Sequence, residues 1–98
     1  MEQERLIRKL NSVGKEVFVR YYYLFRDFAS DNVSRRSAIQ RLVDENVSNE
    51  DGAWMRLGNA RAIFNERGNC HALLLIQHSQ RLSDRTITLA RKIAKEDC

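Results

Sequence analysis

Proline is absent from this 98-residue chain, glycine occurs only four times, and there are only two cysteines. The turns of all-β folds depend on proline and glycine, and stretches that alternate apolar with polar residues are also missing, so the sequence excludes a β-rich fold. No apolar run exceeds five residues, whereas a membrane-spanning helix needs about 20. The chain begins with charged residues instead of the apolar stretch of a signal peptide, so we expect no export, no membrane partner and a cytoplasmic location.

Apolar residues recur throughout the chain at the spacing of amphipathic helices, and a chain of this length has room for one core. The pattern predicts an all-α, single-domain bundle of five or six short helices spanning residues 1–98. The expected helices are Glu2–Val13, Lys15–Ala29, Arg35–Glu45, Asn49–Glu66, Cys70–Ser79 and Asp84–Lys95. The apolar spacing continues across Gly14, so the first two could form one rod, although we favour a break at this glycine.

Two loops share the phrase acidic residue, Asn, Val, Ser, at residues 31–34 and 45–48. We interpret each as a helix end followed by a helix start, because Asn tolerates the left-handed conformation and a Ser hydroxyl accepts from free backbone amides. Ser48 with Asp51 approximates a capping box. Gly68 suits the position just past a helix end.

The two cysteines, Cys70 and Cys98, have a spacing that is typical of neither zinc nor redox sites. We expect a buried, reduced Cys70 and a reactive Cys98 thiol at a frayed chain end. His71 and His78 share a helix face but stand about 10 Å apart along the axis, too far to share one ion. With no nucleophile and base suitably placed either, we expect no metal, no cofactor, no catalytic residue and no enzymatic activity.

The net charge of +4 is unevenly distributed along the chain. Residues 1–52 carry equal numbers of cations and anions, whereas residues 53–95 carry eight Lys or Arg against two Asp or Glu. Thirteen of the seventeen cations are arginines, whose planar fork suits phosphate and carboxylate groups. This distribution favours a polyanionic partner, either nucleic acid or an acidic protein surface.

The segments Arg35–Glu45 and Asn49–Glu66, separated by a short turn, have the proportions of a helix-turn-helix, whose second helix enters the major groove of DNA. In the second helix we place the core face and the outer side as follows: inward Ala53, Leu57, Ala60 and Phe64, and outward Gly52, Met55, Arg56, Asn59, Ala62 and Ile63. The residues expected to bind nucleic acid are Asn49, Arg56 and Asn59 for base edges, and Arg35, Arg36, Arg61 and Arg67 for phosphates.

Residues 48–59, Ser-Asn-Glu-Asp-Gly-Ala-Trp-Met-Arg-Leu-Gly-Asn, resemble a pattern in helical modules at the N-terminus of HNH-type restriction endonucleases. The pattern matches at Met55, Arg56, Leu57 and Asn59, while Val47 replaces the basic residue usual before Ser. The nuclease motif itself is absent. The resemblance implies a helix-turn-helix-like accessory or regulatory module that binds DNA, of phage or defence-system origin.

Docking on another protein, without nucleic acid, is the alternative function. Trp54, Met55 and Ile63 would then be buried in the partner, and the arginines would meet acidic side chains. Met55 and Ile63, together with surplus tyrosines outside a small core, would also favour a two-fold homodimer. The aromatic cluster Tyr21, Tyr22 and Tyr23 with Phe18 and Phe25 is nevertheless expected to form the centre of the core, in preference to a base-stacking platform.

Overall fold

The computed structural model describes all residues 1–98 and contains seven helices and no strand. In chain order the helices are α1 Gln3–Val13, α2 Lys15–Arg20, α3 Tyr22–Ala29, α4 Arg35–Asp44, α5 Glu50–Asn65, α6 Asn69–Gln77 and α7 Asp84–Asp97. The predicted all-α bundle is confirmed, as is the break at Gly14. The single helix expected from Lys15 to Ala29 is divided at Tyr21 into α2 and α3. None of the helices combines the length and the apolar character needed to cross a membrane.

The longest helix, α5, is the centre of the bundle. It packs against α1, α3 and α4, while α7 packs against α2 and α6. The fully buried residues of α5 are Ala53, Leu57, Ala60 and Ile63. The prediction that Ile63 lies on the outer side is wrong, because neighbours on several sides widen the buried face of this helix. Phe64, predicted to face the core, is half-buried with its ring centroid 5.8 Å from that of Phe18.

The predicted aromatic centre of the core is confirmed except at Tyr23, which is only half-buried. Phe18, Tyr22 and Phe25 are fully buried, and the rings of Phe18 and Tyr22 meet edge to face. Tyr21, where the backbone departs from helical geometry, and Tyr22 are both buried as well. These two tyrosines are therefore not available for the dimer contact suggested by the sequence.

Three helices end at a residue with left-handed backbone, Asp31, Asn46 and Arg67, with φ of 61°, 59° and 58°. In each case the next N–H donates to a carbonyl five positions earlier, at 2.7–2.9 Å, which satisfies an otherwise free carbonyl of the last turn. The left-handed conformation predicted for Asn is confirmed at Asn46 but is wrong for the first loop, where Asp31 and not Asn32 adopts it. At the end of α5, however, Arg67 takes the position expected for Gly68.

Asn49 caps α5, and Ser48 does not. The Asn49 Oδ1 accepts from the N–H three residues later at 2.8 Å, whereas the Ser48 Oγ is buried without a hydrogen-bond partner. In both loops the cap stands three residues after the left-handed residue: Ser34 after Asp31, and Asn49 after Asn46. The left-handed residue is the acidic one in the first phrase and the Asn in the second. The cap of the second phrase is therefore shifted by one residue, from Ser48 to Asn49, and the capping box predicted at Ser48 is wrong.

A disulfide joins Cys70, in the first turn of α6, to Cys98, which follows α7, with the two Cα atoms 5.9 Å apart. The prediction of two reduced thiols is wrong, because the antiparallel pair α6 and α7 brings these positions together. Both side chains are exposed, so the predicted burial of Cys70 is also wrong. Disulfides are rare in cytosolic proteins, and the expected cytoplasmic location stays a prediction.

A polar network beside the disulfide ties α7 to α3 and α6. The Asp97 carboxylate accepts from the Tyr22 hydroxyl at 2.6 Å and from Arg26 Nη1 at 2.8 Å, and Asn69 Nδ2 donates to the Tyr22 oxygen at 2.9 Å. Burial, and then the hydrogen bond to Asp97, raise the pKa of Tyr22 well above its ordinary value. The hydroxyl therefore remains a donor throughout the usual pH range.

Replacing Cys98 by Ser (Cys98→Ser) should lower the free energy of unfolding by about 2–4 kcal/mol, because the disulfide restricts the unfolded chain. Urea denaturation followed by far-ultraviolet circular dichroism measures this change. Adding a dithiol reductant to the unaltered protein should reproduce it and have no further effect on the variant. An unchanged urea midpoint in both experiments would contradict a stabilising bond.

Candidate nucleic-acid interface

Helices α1 and α5 lie antiparallel. Near the start of α1, Arg5 binds Glu66, which follows the end of α5. At the other end, Arg56 in the first half of α5 donates from Nη1 to the carbonyl of Val13, the last residue of α1, at 2.6 Å. These two contacts fix the register of one helix on the other.

Arg56 provides a hydrogen-bond donor for the carboxyl end of α1. The last carbonyls of a helix lack intrahelical partners and carry partial negative charge, so a guanidinium placed there is favourable. Gly14 makes room for it: its φ is 92°, and a Cβ at this position would stand 3.3 Å from Arg56 Nη1. Arg56, predicted to read bases, is thus half-buried and already engaged within the fold. Its base-reading role stays a prediction.

Between α1 and α5 lies a groove of about 180 Å³, which we name the cationic groove; it is lined by Arg5, Arg8, Lys9, Ser12 and Asn59. The four lining residues from α1 follow one another at spacings of three, one and three, which places them on one face of the helix. Three of the five side chains are cationic, two are neutral and polar, and none is acidic.

Only two of these cations are free. Arg5 donates to both carboxylate oxygens of Glu66, with the shortest contact at 2.9 Å. The hydrogen bond from Arg5 holds the pKa of Glu66 below its usual range, so this carboxylate stays ionised and offsets the charge of Arg5. By contrast, Arg8 and Lys9 have no carboxylate within 4.0 Å.

The two neutral side chains of the groove each have one hydrogen bond within the fold. Asn59 Nδ2 donates to the Met55 carbonyl at 2.9 Å, and the Ser12 hydroxyl donates to the Arg8 carbonyl at 3.0 Å. The second amide hydrogen of Asn59 remains available as a donor, beside two unpaired cations. This combination of groups suits an anionic oxygen ligand such as a phosphate.

The other predicted residues lie outside the cationic groove. Asn49 is occupied as the cap of α5. Arg61 binds Asp31 at 2.7 Å and lies over the ring of Phe28. Arg67 is exposed at the left-handed end of α5. Their nucleic-acid contacts therefore stay predictions.

Arg35 and Arg36 together line a separate cavity between α4 and α5, next to Trp54. In the predicted helix-turn-helix pair, α4 and α5, the side chains of Trp54 and Met55 are exposed. They lie close to Glu50 and Asp51, the first two residues of the second helix. Asn59, predicted with Arg56 to read bases, instead borders the groove with α1.

Two groups of cations were missed by the sequence reasoning. One is the pair Arg8 and Lys9, concealed because residues 1–52 are neutral overall. The other lies on α7, where Arg85, Arg91 and Lys95 are exposed and have no carboxylate within 4.0 Å. The excess of cations in 53–95 was a signal for the second group.

Metal-binding side chains are scattered over the structure. His71 and His78 are both exposed, and no group of three or more His, Cys, Asp or Glu side chains is placed to hold a metal ion. The absence of any catalytic residue remains an expectation from the sequence.

No protein-family model, curated protein or solved structure matches this chain. The resemblance to modules of HNH-type endonucleases therefore stays a prediction, and the function is argued from the geometry of the surface.

Replacing Arg56 by Ala should lower the free energy of unfolding by about 1–3 kcal/mol, because the Val13 carbonyl loses a charged donor. The same truncation of the unpaired Arg8 should change it by less than about 0.5 kcal/mol. Thermal and urea denaturation of the two variants measure the difference. Equal stabilities of the two variants would contradict the conclusion that Arg56 stabilises the fold whereas Arg8 is free to bind a ligand.

Proposed function

We propose that this chain is a small nucleic-acid-binding module that binds the phosphate backbone of duplex DNA in the cationic groove. The observation that carries the proposal is the pair Arg8 and Lys9, unpaired and side by side with Asn59 in a groove without an acidic lining residue. Cations that meet phosphates release condensed counterions, which supplies most of the affinity for a generic duplex.

Each side chain of the groove would act on the phosphate by its own chemistry. The Arg8 guanidinium can donate two parallel hydrogen bonds to phosphate oxygens, while the Lys9 ammonium acts as a compact charge. Asn59 would add a neutral donor. Contacts of this kind position a protein on DNA without selecting a sequence.

The unpaired cations of α7, a helix that packs against α2 and α6, are proposed as a separate second contact for phosphates. The sequence from Arg85 to Lys95 contains no acidic residue. The acidic residues that follow, Glu96 and Asp97, accept hydrogen bonds from Tyr23 and Tyr22 of α3. Asp97 is half-buried against the fold, whereas Glu96 is exposed and also lies 4.0 Å from Lys92.

Docking on another protein remains the second candidate function, because Trp54 and Met55 are 57% and 56% exposed. The third anchor expected from the sequence, Ile63, is fully buried and is not available to a partner. A regulatory role, and an origin in a phage or a defence system, stay predictions from the resemblance.

Binding of a fluorescently labelled generic duplex should weaken steeply with salt, with a log-log slope of about −0.9 for each phosphate contacted. Arg8→Ala and Lys9→Ala should each weaken binding and flatten that slope by about one unit, because each removes one contact. Fluorescence anisotropy in a salt titration measures both quantities.

Arg41→Ala is the matched control, since it removes one positive charge from α4, where Arg41 is paired with Glu45. This variant should leave the slope unchanged. Absence of duplex binding at low salt, or equal losses in the Arg8 variant and the control, would contradict the proposal.

Replacing Glu66 by Gln should increase duplex affinity and steepen the salt slope, because Arg5 then becomes a third free cation in the groove. Glu45→Gln removes the same negative charge beside Arg41 and serves as the control. The same anisotropy titration compares the two variants. An equal gain in both would show a general charge effect and would count against the groove.

A further inference from the structure

The face formed by α4 and the first turns of α5 carries the two most exposed large apolar side chains of the chain, Trp54 and Met55, beside a cavity. That cavity, of about 550 Å³, is lined by Arg35, Arg36, Ile39, Gln40, Glu50 and Trp54. Met55 and Gly58 continue the exposed side of α5, and a Cβ added at Gly58 would meet no atom within 4 Å. A partner backbone can therefore approach α5 closely here. We name this region the α4–α5 face.

Trp54 is exposed but held in place. The Arg35 guanidinium lies 4.1 Å from the centroid of the indole ring and 5.2 Å from that of the Phe28 ring. Such stacking fixes the orientation of the indole without covering it. A side chain that is already oriented loses little conformational entropy on binding, and Trp, Met and Arg are the residues enriched at the centres of protein interfaces.

The charges around Trp54 and Met55 indicate which kind of partner would bind the α4–α5 face. Arg35 and Arg36 begin α4, whereas Glu50 and Asp51 begin α5, and none of the four takes part in an ion pair. The two cations and two carboxylates balance, so this face offers no net attraction to a nucleic-acid backbone or to a uniformly acidic protein. A surface that carries both signs at the edges of an apolar centre is complementary to a rotated copy of itself.

We propose that the α4–α5 face is a two-fold interface with a second copy of this chain. A two-fold axis beside Trp54 and Met55 brings these side chains of both copies together and places the α4 cations of each copy opposite the α5 carboxylates of the other. The cationic groove adjoins this face, since its lining residue Asn59 lies one turn after Met55 and donates to the Met55 carbonyl. The inference does not depend on nucleic-acid binding.

The self-association is measured by sedimentation velocity over a range of protein concentrations. We expect a monomer–dimer equilibrium, and Trp54→Ala and Met55→Ala should each weaken it by about tenfold or more. Trp54 is the only tryptophan of the chain, so its fluorescence should shift to the blue as the dimer forms. Both side chains are exposed, and circular dichroism should show that the variants keep the helical fold. A strict monomer at high micromolar concentration would overturn the proposal and leave this face to a different protein.

Charge reversal tests the two-fold arrangement. Arg36→Glu in one preparation, and Glu50→Lys with Asp51→Lys in another, should each abolish the homodimer, because like charges then meet across the axis. Mixing the two preparations should restore a dimer, because opposite charges meet again at both ends of the interface. Failure of the mixture to associate would overturn the two-fold arrangement.

Two controls accompany these measurements. Arg41→Glu, outside the α4–α5 face, should leave the association unchanged. Non-reducing electrophoresis should show no covalent dimer, since both cysteines are joined within one chain. A covalent dimer accounting for the association would overturn the proposal. Duplex binding is measured separately by anisotropy, so its failure would leave the dimer result intact.

Discussion

The antiparallel packing of α1 on α5 determines which of the cations between these two helices are free to bind a ligand. It buries Leu6 and Leu10 from one helix and Leu57 from the other, and its ends are fixed by hydrogen bonds from arginines. Arg56 serves the carboxyl end of α1 and Arg5 is neutralised by Glu66. What remains unpaired on the shared surface is a short cationic stretch of α1, and the groove exists only while the two helices are packed.

The same central helix separates two kinds of surface. Towards α1 it borders a groove that is cationic and has no acidic lining, a setting in which a phosphate replaces condensed counterions. At its exposed start it presents Trp54 and Met55 between charges of both signs, a setting that suits protein contact. Polyanion binding and self-association are therefore proposed for adjoining surfaces of α5, and the substitutions that test one leave the charged and apolar side chains of the other in place.

The helical class and most helix bounds follow from the sequence because they depend on local periodicity and capping. The partners of individual side chains do not, since they come from distant parts of the chain: Arg56 meets a carbonyl 43 positions away. Periodicity also allowed Ile63 on either side of α5, and only the packing of several neighbours decides that it is buried. The disulfide was missed for the same reason, because sequence spacing does not show that Cys70 and Cys98 meet.

Amide and side-chain chemical shifts, recorded by nuclear magnetic resonance while a short generic duplex is added at low salt, test the proposed nucleic-acid interface most directly. The account predicts that the largest changes occur in residues 5–12 and in the side-chain amide of Asn59, with the indole N–H of Trp54 nearly unchanged. The largest changes at Trp54 and in α4, or no changes at all, would contradict it.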